Sequence, residues 1–182
     1  MTATTTAIST WTIDQSHSAA EFSVRHMMVS STKGQFQSIS GAVQLDESDL
    51  TNSSVEATID VSSITTRDEK RDEHLRSADF FEVATYPSIT FKSTGITKTG
   101  GDSYDVAGDL TIRGVTRPVV LKTTFNGIGT SPWGTSVAGF EASTEISRKD
   151  FGLEWNVALE TGGVLVGDKV KIQLEVELIK QS

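Results

Sequence analysis

Hydrophobic and polar residues alternate along most of this chain. Residues 54–61, SVEATIDV, place Val55, Ala57, Ile59 and Val61 on one face and Glu56, Thr58 and Asp60 on the other. Residues 170–178, VKIQLEVEL, keep the pattern more strictly: Val170, Ile172, Leu174, Val176 and Leu178 alternate with Lys171, Gln173, Glu175 and Glu177. A period of two belongs to a strand with one face buried and the other in water, the habit of antiparallel sheets. The same reading predicts strands over 18–26, 35–46, 88–94, 103–113, 117–126 and 135–147, about eight in all. TGGDS at 99–103 supplies a Gly-rich turn between two of them, and Arg113-Gly114 ends another.

One stretch departs from the alternation. RDEKRDEHLRSADF, residues 67–80, reads as a short helix, with Thr66 as a hydroxyl cap and Glu69 three residues later completing a capping box. Its first two turns are almost wholly charged, while Leu75, Ala78, Phe80 and Phe81 gather at the end. Such a helix faces solvent and is pinned by its C-terminal end. No linker or repeat divides the strands. The pattern therefore predicts one all-β domain, an antiparallel up-and-down barrel, with a two-sheet sandwich as the alternative. Residues 1–10 read as a flexible N-terminal segment and 11–182 as the domain.

Composition narrows the chemistry. A chain of 182 residues, 36% hydrophobic, suits a single domain that buries roughly 70% of its unfolded surface. Cysteine is absent, which excludes disulfides, thiolate metal sites and cysteine nucleophiles. The net charge of −8 disfavours nucleic acid as a partner. MTATTTAISTW lacks the basic and apolar regions of a secretory signal, so the expectation is a cytoplasmic protein, or a periplasmic or secreted one if the chain is a processed form. No 18-residue apolar run marks a membrane span.

Motifs for metal binding or catalysis are wanting. His17, His26 and His74 show no ligand spacing, so neither a metal nor a cofactor is expected. His17 and Ser18 are neighbours, which on a strand points them to opposite faces. Glu56, Asp60, Glu175 and Glu177 fall on polar faces, and Asp109 with Arg113 reads as a surface ion pair.

A barrel of eight strands has room for its own side chains or for one small ligand. Gly41, Ala57, Gly108, Ala138 and Ala142 fall on apolar faces, where small residues leave space or mark bends. Both outcomes are open on the residues alone. A hollow interior walled by Phe, Val, Ile and Leu would suit a long apolar guest.

Four segments carry a resemblance that runs from Trp11 to about Leu178. They are WTIDQSHSAAEFSVRHMMVSSTKGQF at 11–36, RDEHLRSADFFEVATYPSITFKST at 71–94, YDVAGDLTIRGVTRPVVL at 104–121 and SRKDFG at 147–152. In this order they resemble the YceI-like family of polyisoprenoid-binding, lipocalin-like proteins. The resemblance implies an antiparallel eight-stranded lipocalin-like barrel with one short helix near an open end and a long hydrophobic tunnel. It implies a carrier or store of isoprenoid lipids, isoprenoid quinones included, and no catalytic reaction. Many relatives carry an export signal, and this chain departs from them there.

Candidate contacts follow. Phe22, Val24 and His26 share one row of a strand, so the imidazole ends an apolar face where it can meet a polar lipid head or sit as a satisfied core histidine. Phe36, Phe91, Phe125 and Phe140 fall in inward rows, with Ile39 and Leu110 completing the wall. Phe80 and Phe81 are placed to close one mouth and Trp155 to line the other. The alternative for these residues is ordinary core. Lipid sequestration or transport is the leading reading. An enzyme acting on a prenyl or acyl lipid, and a ligand-free stress-response or interaction module, are the competitors. The oligomeric state is open, a homodimer included.

Overall fold

In the computed structural model, which describes residues 7–182, the alternating segments hydrogen-bond into one antiparallel sheet that closes on itself. The strands are β1 (Ile8–Ile13), β2 (Ala19–His26), β3 (Ser30–Phe36), β4 (Ile39–Asp46), β5 (Ser54–Asp60), β6 (Ile64–Thr65), β7 (Ser88–Gly100), β8 (Ser103–Ile112), β9 (Val115–Thr130), β10 (Ser136–Ser147) and β11 (Val166–Lys180). A helix, α1 (Glu69–Arg76), stands between β6 and β7. Strands β1, β4, β5, β7, β8, β9, β10 and β11 pair in that order, and β1 returns to β11 through Ile13 and Leu178. These form the closed barrel of eight strands, not a sandwich.

Toward α1 the ring is completed by other partners. β11 pairs there with β2, β2 with β3, and β3 with β6. So β1 and β2 share one place in the ring, as do β3 and β4, and β5 and β6. Two of the three breaks are 3-10 turns, Gln15–His17 and Val61–Ser63. Each is opened by an aspartate: Asp14 accepts from the Ser16 N–H and Asp60 from the Ser62 N–H. An aspartate bonding its own chain two residues on makes a turn without glycine. β3 meets β6 only at Gln35 and Phe36, so the outer edge of Ser30–Gly34 has no strand partner among the described residues.

The expected flexible segment differs at its end, because Ile8, Ser9 and Thr10 already pair with Asp46, Leu45 and Gln44. Residues 1–6 of that segment lie outside the described residues. The capping box is also corrected. Asp68, not Thr66, caps α1 by accepting from the Arg71 N–H at 3.0 Å. Thr66 is buried instead, its N–H and hydroxyl both donating to Asp72. Asp109 and Arg113 do not pair: Arg113 donates to the carbonyls of Gly152 and Ala78 and reaches Glu82 at 3.4 Å.

Two apolar clusters fill the barrel's ends. Under α1, Phe36, Ile64, Phe80, Ile112 and Phe151 pack together. At the opposite end Trp11, Val43, Leu45, Ala138 and Leu178 do so. Of the two outcomes open for the interior glycines, the structure shows that Gly41 and Gly108 do not hollow the barrel. A side chain at Gly108 would collide with the Phe91 ring and stand 2.6 Å from the Lys92 carbonyl. One at Gly41 would collide with the Glu56 carbonyl. Their missing side chains are taken up by the protein's own atoms, because a strongly curved sheet brings strands and rings that close.

Candidate functional site

Between the two clusters a cavity of about 410 Å³ remains. That falls in the range of small-molecule pockets. Its wall is nearly all carbon, drawn from alternate positions of the surrounding strands: Phe22 and Val24 from β2, Phe91 from β7, Leu110 from β8 and Phe140 from β10. The alanines contribute room where the glycines do not, since Ala20, Ala57 and Ala142 border the space.

Every predicted contact residue except Phe125 lies on this wall; Ile39, Phe36, Phe80, Phe81, Trp155 and His26 complete that set. Phe125 sits against Phe140, ring centroids 5.0 Å apart, and packs into the cluster opposite the helix. It faces inward as expected, but Phe140 occupies the wall.

The charged and imidazole groups gather at the helix end, while Ser53, Tyr104 and Thr123 border the rest of the space. His26 closes the β2 row and pairs in register with Val166. Its imidazole borders the cavity and makes no hydrogen bond to another described residue. Beside it Thr32, Thr66 and Arg71 border the cavity where β3 loses its outer neighbour. The turn from β2 to β3 exposes Met27, Met28 and Val29, the last 78% accessible.

Trp155 is not at a second mouth. Its ring stands edge-on to His74 at 4.6 Å and 5.4 Å from Phe80, at the same end as the helix. Phe81 belongs there too, 5.9 Å from Phe36, which in turn meets Phe22 at 5.6 Å. One aromatic collar therefore stands at the helix end of the cavity. His74, read as part of a solvated charged helix, lies within it and is held by Asp79 at 2.8 Å.

Arg148 builds this collar. It is 3% exposed, and its guanidinium donates to four carbonyls: Leu153 at 2.6 Å, Trp155 at 2.9 Å, Gly167 at 2.8 Å and Val166 at 3.3 Å. Both ends of the segment between β10 and β11 are thereby tied to one side chain. Burial pulls the guanidinium below its ordinary pKa, and Asp168, 3.8 Å away, opposes that. The signal for it lay in SRKDFG, where a lone arginine precedes an irregular segment.

A further juxtaposition escaped the search for spaced ligands. At the first strand break, His17 Nδ1 lies 2.9 Å from Asp14 and 4.0 Å from Glu177. The hydrogen bond to Asp14 raises the imidazole pKa, with Glu177 adding to it, and the same bond lowers that of Asp14. The His17 side chain is exposed and does not border the cavity.

Comparison with known proteins places this geometry. The family model for the YceI-like domain matches residues 11–178. A UPF0312 protein of Staphylococcus aureus (strain N315) is 40% identical over 168 residues, covering 92% of this chain and 95% of the relative. Among solved structures, BcnA of Burkholderia cenocepacia is 28% identical with a TM-score of 0.77, over 91% of this chain and 98% of that one. A polyisoprenoid binding domain from Saccharophagus degradans shares the fold at 16% identity, TM-score 0.72, over 94% of this chain and 98% of its own.

Proposed function

This chain belongs to the YceI-like domain family, and on that premise we propose that it binds and sequesters or carries a long-chain amphiphilic lipid, a polyisoprenoid or an isoprenoid quinone. The observation that carries the reading is the carbon-walled cavity of about 410 Å³ with its charged groups confined to one end. Such a space takes an apolar chain inward and leaves a head group at the collar. The solved domain from Saccharophagus degradans described as polyisoprenoid binding supports the same class of guest.

Affinity in this mechanism comes from burial. Each methylene removed from water contributes about 0.8 kcal/mol before the costs of ordering the chain. His26 and its neighbours then set which end of the lipid enters last, rather than how tightly it is held.

Native mass spectrometry of the purified protein, with mass analysis of its organic extract, tests the proposal. A co-purifying lipid, or uptake of offered ubiquinone, menaquinone or prenyl lipid, is the expected result. A clean apo mass with no uptake of any of them overturns it. Chemical turnover of a bound prenyl or acyl lipid, lost in His26→Ala, would replace it with an enzyme.

A further inference from the structure

We propose that Asp14, His17 and Glu177 form a site for one zinc-like divalent cation, a clip at the point where β1 gives up its place beside β11 to β2. The site is independent of the lipid reading, because none of the three borders the cavity. One donor atom from each lies within 4.8 Å of the other two. His17 Nδ1 stands 2.9 Å from Asp14 Oδ2 and 4.0 Å from Glu177 Oε1. Donors on one tetrahedral zinc are about 3.3 Å apart, given metal–ligand bonds of about 2.0–2.2 Å. The two separations straddle that value, so small side-chain rotations bring the set onto a shared ion.

The backbone brings the three together. β1 ends at Ile13 opposite Leu178, and β2 begins at Ala19 opposite Glu175. The residues between turn over Glu177. The Asp14 N–H donates to the Glu177 carbonyl at 2.8 Å, and the Glu177 N–H donates to the Ser18 hydroxyl at 3.0 Å. Glu177 is thereby held from both sides of the turn. Gly139 stands opposite it on β10, so no side chain there engages its carboxylate. Asp14 Oδ1 accepts from the Ser16 N–H at 3.0 Å and the Ser16 hydroxyl at 2.7 Å, which leaves Oδ2 to face the imidazole. Carboxylates that hold metals are oriented by such additional bonds.

The charge balance points the same way. The Asp14 side chain is 17% accessible and that of Glu177 34%. Among the described residues neither pairs with a lysine or arginine, and the Glu177 carboxylate accepts no hydrogen bond. Two partly desolvated acids therefore share one imidazole. With the ring neutral the group carries two negative charges, which a dication matches. One imidazole nitrogen among carboxylate oxygens suits a borderline ion such as zinc; magnesium keeps an oxygen shell rich in water. The Ser16 hydroxyl, 3.1 Å from Nδ1, or a water molecule is placed to complete four positions.

The test uses the full chain, cleared of metal with a chelator, and Zn2+ alone as the probe, with Mg2+ for comparison. The chain has 3 histidines, so proton NMR of the imidazoles shows which one takes the ion. The expected result is one zinc per chain, a shift of the His17 signals, and a dissociation constant of about 10 µM or tighter, with no response to Mg2+ at the same concentration. Zinc should also raise the melting temperature. His17→Ala weakens binding about 100-fold and Glu177→Gln about tenfold, with circular dichroism establishing that both fold. Should either variant fail to fold, the NMR shifts of the parent chain decide. Zinc that moves His26 or His74 instead, or leaves the His17 signals unchanged up to about 1 mM, overturns the site. Full affinity in Glu177→Gln overturns the three-ligand assignment and leaves a hydrogen-bonded His–Asp pair.

Discussion

Arg148 and Trp155 are joined through a single hydrogen bond, Nη1 to the Trp155 carbonyl oxygen at 2.9 Å, and through it the aromatic collar is fastened to the barrel wall. The indole lies 4.6 Å from His74 and borders the cavity, so the position of a wall residue depends on a buried cation that spends its donors on backbone.

Replacing Arg148 with alanine leaves the carbonyls of Leu153, Trp155 and Gly167 short of a donor, while that of Val166 keeps Asn156. The expected cost is about 3 kcal/mol, read from urea unfolding. Arg148→Lys recovers little, because one ammonium cannot span four carbonyls as a planar fork does. In a Trp133→Phe background, the emission of Trp155 should shift to the red on losing Arg148, since Trp11 is fully buried and contributes a constant signal. An unchanged spectrum and unchanged stability would show that the segment holds itself.

Two alanines on β10 provide a controlled pair. Ala142 borders the cavity, whereas Ala138 is 0% exposed and packed among Trp11, Leu45 and Leu178. Ala142→Leu should extend into open space, changing stability by less than about 1 kcal/mol while reducing lipid uptake severalfold. Ala138→Leu has nowhere to go and should cost about 1–3 kcal/mol. Thermal unfolding and lipid titration on both variants decide it. Equal destabilisation would mean that the space beside Ala142 closes in solution.

Much of the barrel was legible because period two reports directly which face of a strand is buried. The residues 103–113 read as a strand are β8 to within one residue. Strand β1 was missed because threonine and serine hold most of its positions, leaving only Trp11 and Ile13 on one face and Ile8 alone on the other. The wall residues were legible for the same reason as the strands. The collar was not, since Trp155 is placed by a side chain bonding to backbone carbonyls, which leaves no periodic trace. Arg71 and His74 were hidden in a charge run: a helix of eight residues presents one charged side chain to a cavity as readily as to water. The glycines left the question open because absence of a side chain does not say what fills the place, and at Gly108 it is Phe91.

His17, in the turn opened by Asp14, and Asp46, at the end of β4, titrate in opposite senses. His17 has its pKa raised from 6.5 by its hydrogen bond to Asp14, so the stabilisation it brings is full below about pH 6.5 and is lost as pH rises through the folded value. Asp46, wholly buried, has its pKa lowered from 3.8 by hydrogen bonds from Ser48, then Asn52, with the Ser48 and Asp49 N–H groups adding to them. Its contribution is present above that value and is lost as pH falls through the folded one. Melting temperature should therefore decline on the alkaline side and again in acid. Asp14→Asn should flatten the first limb and, because the pKa of Asp14 is itself lowered, soften the second as well, whereas Asp46→Asn should flatten the second alone while lowering stability at neutral pH. An Asp46→Asn variant that also flattens the alkaline limb would contradict the assignment.

The turn between β2 and β3 is strained in a way that separates its two methionines. Met27 and Met28 have φ of 53° and 64°, and the Val29 N–H bonds the His26 carbonyl at 3.2 Å, a turn with two left-handed central residues, which favours asparagine or glycine, inside the three-residue loop left by the pairing of His26 with Ser30. Left-handed backbone costs an ordinary residue about 1 kcal/mol or more. Met28 has a compensation, because its side chain lies over Gly163: a Cβ built there would stand 3.1 Å from Met28 Cγ. Gly163 belongs to the segment that Arg148 ties down, so Met28 couples the hairpin to the collar. Met27→Asn should therefore stabilise the protein by about 1 kcal/mol, whereas Met28→Asn should gain less or lose, since it relieves strain and gives up a contact together. Denaturant midpoints of the two single variants check this. Equal gains would show that the contact across to Gly163 holds nothing, and that the collar stands without help from the hairpin.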